Sequence, residues 1–156
     1  MTDVNITSKG RYALRVMIDL AQHPDEGFVS LKTVAERQGI SMKYLEMIVS
    51  SLKKGELLES TRGKEGGYRL SRSPADYSVG EILRCLEDNL APVACIRDGE
   101  IQCEKAAACI TLPMWKELDG ITNAYLDSVS LQDLLTGEKC GVRQRYLFSS
   151  FFLFPL

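Results

Sequence analysis

Three cysteines in the second half of the chain lie close enough in sequence to be candidate metal or cluster ligands. Cys95, Cys103 and Cys109 lie within a span of 15 residues, in the polar segment ACIRDGEIQCEKAAACIT. Thiolates bind soft metals and iron-sulfur clusters. The spacing matches no common zinc or ferredoxin pattern, and both a cluster and a tetrahedral zinc take four ligands. The loop predicts a cluster or metal site, while a thiol-disulfide switch and small residues without a function stay open as alternatives.

A second set of side chains has the types needed to read a DNA duplex. It lies on the outward face of a predicted helix and comprises Ser41, Lys43, Tyr44, Glu46 and Met47. The set offers hydroxyl, ammonium and carboxylate groups at the helix N-terminal end, which is the part of a recognition helix that enters the major groove. Helical periodicity assigns the buried side to Met42, Leu45, Ile48 and Val49. An ordinary solvated face is the alternative interpretation.

Further polar side chains in the first half are candidates for binding the DNA backbone. Arg62 and Lys64 stand at a glycine-rich turn, which favours an arginine in the minor groove and a cation on a phosphate. Ser8, Lys9 and Arg11 lie at the predicted start of the first helix. They would add phosphate contacts through a hydroxyl, an ammonium and the helix N-terminus.

The elements that position these residues follow from hydrophobic periodicity. A first helix is predicted by the apolar stripe of Ala13, Val16, Met17, Leu20 and Ala21. Ser30 and Ser41 have the side chains of N-caps for two further helices, which end at Gly39 and near Gly55. Two short helices joined by a tight turn at residues 38–41 are typical of a helix-turn-helix.

After the third helix, the helical spacing of apolar residues gives way to short extended runs, and this change predicts a β-hairpin. Extended runs at residues 57–61 and 68–70 flank the glycine-rich loop, so the hairpin would form a wing on the helix-turn-helix. Ser78 and Glu81 have the spacing of a capping box that opens another helix. The cysteine-bearing loop then runs from about Asp88 to Thr111.

The last predicted helix has an apolar face that little of the remaining chain can cover. Pro113 is expected as its first residue, and the face is formed by Met114, Leu118, Ile121 and Tyr125. Such a helix is expected to pack against a second subunit. The predicted fold is therefore mainly α with a small β-hairpin. Its parts are a winged helix-turn-helix (1–75), a cysteine loop with a dimerisation helix (76–136) and a tail without an assigned role (137–156).

Composition and charge narrow the function classes. The 156 residues are 45% hydrophobic and 26% charged, which is globular composition. Five cysteines, an odd number, favour a reducing cytoplasm over a disulfide scaffold. The net charge is −2, but residues 9–72 carry 12 Lys and Arg against 8 Asp and Glu, while residues 73–156 carry 7 against 12. No stretch is long enough to cross a membrane, and no catalytic motif is present, so an enzyme is not expected.

Three short motifs resemble the Rrf2 family of bacterial transcription regulators. They are SKGRYA at residues 8–13, ERQGIS with YLE at residues 36–46, and RGKEGGYRL at residues 62–70. The resemblance covers roughly residues 6–135, and the cysteine loop makes it most similar to the IscR-like branch, which carries an iron-sulfur cluster. It implies a homodimeric winged-helix protein that binds palindromic promoter DNA and is gated by a [2Fe-2S] or [4Fe-4S] cluster near the dimer helix.

The resemblance also implies roles for individual residues. Major-groove contacts fall on Ser41, Lys43, Tyr44, Glu46 and Met47, and the minor-groove arginine on Arg62. Met47 is a departure, because this branch has a glutamine there.

Cluster ligands fall by the same resemblance on Cys95, Cys103 and Cys109, but Leu112 stands where the branch has a histidine. The fourth ligand is left open among Asp3, Asp98, Glu100, Glu104 and a small exogenous thiol. In the nitric-oxide sensing branch a carboxylate near the partner's N-terminus serves as this ligand, and the matching position here is Arg11.

The sequence thus favours a cytoplasmic, dimeric DNA-binding regulator, expected to be a repressor, that senses redox or iron-sulfur status through a cluster. The alternative is a regulator of cysteine or sulfur metabolism that has no cluster and is controlled by a metabolic-enzyme partner or by thiol oxidation. A protein-interaction or cluster-storage module that does not bind DNA is a third hypothesis, supported only by the acidic pI of about 5.5.

Overall fold

A computed structural model describes residues 6–137 of the chain. The first three helices are α1 (Ser8–Gln22), α2 (Leu31–Gln38) and α3 (Met42–Lys54), and they are followed by the strands β1 (Leu58–Thr61) and β2 (Gly67–Leu70). The second part contains α4 (Val79–Arg84), the two-residue strands β3 (Ile96–Arg97) and β4 (Glu100–Ile101), α5 (Leu112–Ser128) and α6 (Leu131–Thr136). The tail, Cys140 and Asp3 lie outside the described residues.

The helix ends confirm the capping chemistry expected for the helix-turn-helix. The Ser30 hydroxyl accepts the Thr33 amide at 3.1 Å, and the Ser41 hydroxyl accepts the Tyr44 amide at 3.4 Å. Gly39 ends α2 with a φ of +63°, in the left-handed region where glycine carries no steric cost. Each side-chain cap contributes about 1 kcal/mol to helix stability.

The core lies between α1, α3 and the base of the hairpin. Its fully buried members include Val16 and Met17 of α1 and Leu45, Ile48 and Leu52 of α3. Each of these side chains contributes about 1.5–3 kcal/mol on burial.

The expected burial of Met42 is wrong, because this side chain is 42% exposed. It occupies the first helical position, where the Cβ points towards the helix N-terminus and no earlier turn lies beneath it. The apolar stripe therefore begins at Leu45, one turn later than the periodicity indicated.

The wing is a two-stranded antiparallel hairpin with a third segment laid against it. Leu58 pairs with Leu70 and Thr61 with Gly67. Val29 exchanges two backbone hydrogen bonds of 2.9 Å with Tyr68, so the extended segment before α2 joins the wing to the helices. A Cβ on Gly67 would lie 2.3 Å from the Val29 carbonyl oxygen, which explains the glycine at this crossing.

The predicted capping box at the start of α4 is only half formed. The Ser78 hydroxyl accepts the Glu81 amide at 3.0 Å, but the Glu81 carboxylate pairs with the Arg72 guanidinium at 2.7 Å instead of turning back to the cap. The full box occurs at α6, between Ser130 and Asp133. A charge-assisted bond to a guanidinium is stronger than one to a neutral amide, which accounts for the difference.

The second part of the chain packs onto the first through one shared core. Tyr77, Ile82 of α4 and Leu131 of α6 are fully buried in the same cluster as the helix-turn-helix side chains. The boundary near residue 75 stays a prediction, but the segments on either side of it are not separately packed.

The apolar face of α5 is exposed within the single chain. Met114 is 53% exposed, Leu118 and Ile121 are each 40% exposed, and Tyr125 is 38% exposed. Pro113 is the second residue of α5 and not the first, since the helix begins at Leu112. Among residues 6–137, no helix is both long and apolar enough to cross a membrane.

Candidate nucleic-acid interface and cysteine loop

The exposed face of α3 has the composition expected of a recognition helix. Ser41, Lys43, Glu46 and Met47 are exposed along its first two turns, while Leu45 between them is fully buried. The face therefore presents a donor, a cation and an acceptor from one rigid element, which is the arrangement that reads base edges in the major groove.

Tyr44 differs from the rest of this set because it is half-buried. Its ring packs edge-to-face on Tyr12 of α1 with centroids 5.7 Å apart, and its hydroxyl donates to the Ser8 hydroxyl at 3.3 Å. The start of α1 thus lies beside the start of α3, so the structure brings two separately predicted DNA-contact groups together. Lys9 and Arg11 are exposed on the same turn of α1.

The N-terminus of α1 is occupied by an internal carboxylate. Glu87 Oε1 accepts the Thr7 amide at 2.8 Å, the Thr7 hydroxyl at 2.9 Å and the Gly10 amide at 3.2 Å. The helix N-terminus expected to bind phosphate is therefore partly occupied, because the Thr7 and Gly10 amides are bonded within the chain. Glu87 could not be predicted from the sequence, because it lies 80 residues from Thr7 and no local pattern joins them.

The wing tip places its two cations in solvent. Arg62 and Lys64 are exposed, and neither has an ion-pair partner within residues 6–137. The turn that carries them needs glycine twice: Gly63 has a φ of +112°, and a Cβ on Gly66 would lie 2.8 Å from the Thr61 carbonyl oxygen. A narrow, cationic tip of this kind suits the minor groove.

A buried polar network ties α1 to the turn of the helix-turn-helix. The Asp19 carboxylate, whose residue is only 2% exposed, accepts the Gln38 side-chain amide at 2.8 Å and the Arg37 guanidinium at 3.4 Å. Arg37 also binds both oxygens of Glu26, at 2.6 and 2.7 Å. This hydrogen bond lowers the pKa of the Glu26 carboxyl and raises that of Arg37. The Arg15 guanidinium donates to the Gln38 carbonyl oxygen at 2.7 Å, which completes the link.

The three cysteines of the loop are partly buried and not equivalent. The Cys109 sulfur lies 3.4 Å from the Thr111 hydroxyl, and hydrogen bonding to Thr111 lowers the pKa of the Cys109 thiol. Cys85 lies outside the loop, on the end of α4, where burial raises the pKa of its thiol. A Cβ on Gly55 would lie 2.5 Å from the Cys85 sulfur, so the Cys85 side chain packs directly against the end of α3.

The three thiols of the loop have the right chemistry for an iron-sulfur cluster, but they are one fewer than the four ligands that a cluster takes. Thiolates are the ligands that iron-sulfur clusters use. Within residues 6–137, however, no three or more His, Cys, Asp or Glu side chains are placed so that they could hold a metal ion. Leu112 at the fourth position is apolar and only 8% exposed. The described part of one chain therefore lacks a complete ligand set, and the assignment of Cys95, Cys103 and Cys109 as ligands stays a prediction.

A cavity of about 490 Å³ lies beside the end of α4, the turn of the cysteine loop and α5. Its walls include Arg84, Glu87, Asn89, Asp98 and Asp119. Arg84 spans one side of it, since its guanidinium binds both oxygens of Asp127 on α5 at 2.7 and 3.1 Å. The first residues of the cysteine loop thus border open space rather than packed core.

Comparison with known proteins places this arrangement in a family. The family model described as "Rrf2: Iron-dependent Transcriptional regulator" matches residues 6–137. The HTH-type transcriptional regulator IscR of Aliivibrio salmonicida is 39% identical over 132 residues, covering 85% of this chain and 77% of that protein. A putative HTH-type transcriptional regulator, ORF2 of Azotobacter vinelandii, is also 39% identical over 132 residues, covering 85% of this chain and 79% of that protein.

Two solved structures have similar folds. CymR, the global cysteine regulator of B. subtilis, superposes with a TM-score of 0.69 at 37% identity and covers 85% of this chain and 97% of its own. The IscR of T. potens superposes with a TM-score of 0.67 at 37% identity and covers 92% of this chain and 96% of its own. The similarity thus extends to one relative named for cysteine regulation and to others named IscR.

Proposed function

Because the chain belongs to the Rrf2 family of transcriptional regulators, we propose that it is a dimeric, sequence-specific DNA-binding repressor whose cysteine loop controls promoter binding in the bacterial cytoplasm. The observation that carries the proposal is the exposed polar face of α3 beside the free cations of the wing. An exposed polar helix face can contact base edges, and nearby cations can bind the phosphate backbone, so together they have the chemistry needed to read a duplex.

The roles of the contact residues follow from their chemistry. Lys43 and Ser41 donate to base edges in the major groove, and Glu46 accepts from cytosine amino groups. Arg62 enters the adjacent minor groove. The backbone contacts are made by Ser8, Lys9, Arg11 and Lys64. The acidic net charge does not oppose this function, because binding depends on the local field at the contact surface and not on the sum of the charges.

A second copy of the chain covers the exposed face of α5. Met114, Leu118, Ile121 and Tyr125 form one continuous apolar stripe on this helix. Two antiparallel or crossed α5 helices would bury the stripe and set two α3 helices about 34–36 Å apart, which is the spacing of successive major grooves. A palindromic operator is the expected target.

For the input signal we propose an iron-sulfur cluster on Cys95, Cys103 and Cys109, supported by the relatives named IscR. The fourth ligand would be one of Asp3, Asp98, Glu100 and Glu104, or a small exogenous thiol. When bound, the cluster would supply a centre that responds to iron supply and oxidation.

Two features of the loop favour the cluster-free alternative, a regulator of cysteine or sulfur metabolism that responds to thiol oxidation or to a metabolic-enzyme partner. Cys109 has a lowered thiol pKa, and Leu112 cannot ligate iron.

DNA reading is tested by footprinting of the protein's own promoter. Lys43→Ala should weaken binding to the protected site by about 1–3 kcal/mol while leaving non-specific binding almost unchanged. The matched control is Lys32→Ala, an exposed lysine on α2 that lies outside the proposed contacts. Equal losses in both variants, or no footprint at low salt, would refute the proposed function.

The two input signals are separated by purification under strict anaerobiosis. Cluster binding predicts iron, acid-labile sulfide and visible absorbance that are all lost in Cys103→Ala. Colourless protein without iron, together with promoter binding that changes on thiol oxidation or with a co-purifying cysteine-synthesis enzyme, would select the alternative.

A further inference from the structure

Glu87 lies between the two functional parts of the chain. It follows α4 and directly precedes the cysteine loop, and its Oε1 accepts three hydrogen bonds of 2.8 to 3.2 Å from Thr7 and Gly10. A carboxylate at a helix N-terminus also interacts favourably with the helix dipole. The contact therefore fixes the first turn of α1 to the entrance of the loop.

On the DNA side, this contact holds the turn that carries the proposed phosphate ligands. Ser8 and Lys9 lie between Thr7 and Gly10, and Ser8 accepts a hydrogen bond from Tyr44 of α3 at 3.3 Å. Gly10 is required for the approach, because a Cβ there would lie 2.4 Å from Glu87 Oε1. The first turn of α1 is thus placed by Glu87 on one side and by the recognition helix on the other.

On the loop side, Glu87 is two residues from Asn89, whose side chain is hydrogen-bonded to the hairpin of β3 and β4 in the cysteine loop. The Asn89 side-chain amide donates to the Ile96 carbonyl oxygen at 2.9 Å, and its own oxygen accepts the Ala91 amide at 3.0 Å. Ile96 is buried and follows Cys95, whose carbonyl oxygen accepts the Gln102 amide at 2.9 Å. Two hydrogen bonds therefore connect Asn89 with the backbone beside Cys95 and Cys103.

We propose that Glu87 is a positioning residue through which the state of the cysteine loop sets the first turn of α1 for DNA binding. The inference rests on the proposed function. A change in the loop that displaces Asn89 draws Glu87 towards the adjoining cavity, which leaves the Thr7 and Gly10 amides without their acceptor and Ser8 and Lys9 without a fixed position. Because packed elements switch between discrete arrangements, a small shift here is enough to alter affinity.

The test compares promoter affinity with reduced thiols and after alkylation by iodoacetamide, in the full-length protein. The wild type should show an affinity ratio of about fivefold or more between the two states. In Glu87→Ala the ratio should fall to within about twofold of unity, because the coupling free energy is lost. Glu87→Gln, whose side-chain oxygen can still accept from Thr7 and Gly10, should retain part of the ratio. Asp88→Ala is the control, since it removes the neighbouring exposed carboxylate and should keep the wild-type ratio.

A purely structural role for Glu87 would lower affinity in both thiol states and leave the ratio unchanged, and that result would overturn the inference while the proposed function stands. A wild type that binds the promoter equally in both states would overturn the inference together with the proposed control by the loop. Gly10→Ala covers the case in which Glu87→Ala does not fold, because alanine favours the helix yet displaces the carboxylate. It should also abolish the ratio, and it should speed hydrogen exchange at the Thr7 amide.

Discussion

The reader (residues 8–70) and the sensor segment (residues 88–128) are built in opposite ways. The reader packs around a core that lies within the single chain and includes Tyr77, Ile82 and Leu131, and ten or more of its own side chains are almost completely removed from solvent. In the sensor segment only Ala91, Ile96, Leu112 and Asp119 are buried, while the apolar face of α5 is exposed. One region is complete within the chain, and the other is arranged to be completed by something outside it.

The contrast explains where a signal can act. A region held by many buried contacts has a single stable arrangement, whereas one with few buried contacts changes at low cost in free energy. Regulation of a DNA-binding protein needs a rigid region and a deformable one. The rigid region presents the DNA-contacting side chains in a fixed arrangement, and the deformable region changes when the signal arrives and alters the position of the first. The contact between Glu87, which directly precedes the sensor segment, and the first turn of α1 is one place where the two regions are linked.

The largest expected effect comes from removing the second subunit that is proposed to cover the apolar face of α5. Leu118→Glu places a charge in the exposed stripe and should convert the dimer to a monomer. Loss of the second recognition helix should weaken operator binding about 100-fold, since bivalent attachment is lost. Sedimentation equilibrium and promoter titration measure the two effects, while circular dichroism should show an intact reader.

Lys116→Ala is the control for this change, because Lys116 lies on α5 away from the stripe. A Leu118→Glu protein that stays dimeric would show that the stripe is not the subunit contact. Complete unfolding of the Leu118→Glu variant would contradict the difference between the two regions, because the stability of the reader would then also depend on the partner subunit.

The next effect tests whether the reader is stable by its own contacts. Asp19→Ala removes the buried carboxylate that binds Gln38 and Arg37, and it should lower the free energy of unfolding by about 2 kcal/mol. The loss is smaller than for a fully buried pair because the Arg37 side chain is 26% exposed and partly screened. Urea unfolding measures it, with Asp25→Ala on the exposed turn as control. Equal stability of the two variants would mean that the network does not hold the helix-turn-helix.

The parts of the fold that sequence predicted are those set by local chemistry. Ser30, Gly39 and Ser41 act within one helical turn, so their caps and the helix-turn-helix could be predicted without knowledge of distant residues. The Asp19 network and Glu87 could not, because each depends on partners brought together by tertiary packing. A carboxylate inside the apolar stripe of α1 was the one available signal for Asp19.

The same reasoning applies to the cysteine loop. Spacing alone indicated the three thiols, but a ligand set is defined by convergence in space, and the described residues of one chain do not converge on a metal. Met42 shows the complementary limit: the period was correct, and the end of the helix removed the surface on which it would have packed.

The wing offers a smaller effect that separates two kinds of contact within the reader. Lys64→Ala should weaken binding to all sequences and reduce the salt dependence of log K by about 1, because one phosphate contact is lost. Arg62→Ala should instead reduce the preference for the operator with its narrow minor groove by about 1–3 kcal/mol. Fluorescence anisotropy on operator and random duplexes at several salt concentrations distinguishes them. Identical behaviour of the two variants would refute the separate roles.

The smallest expected effect is a difference in alkylation rate between Cys85, which packs onto the reader, and Cys109 in the sensor segment. Hydrogen bonding to Thr111 lowers the pKa of Cys109, whereas burial raises the pKa of Cys85. The thiolate is the reactive form, so at neutral pH Cys109 should be alkylated before Cys85, and its rate should reach a plateau at lower pH. Thr111→Val should slow alkylation of Cys109 and move this plateau to higher pH, while Thr111→Ser should restore both because it keeps the hydroxyl. Peptide mass spectrometry over a pH series measures the order, and faster labelling of Cys85 would mean that the loop is the more protected of the two regions.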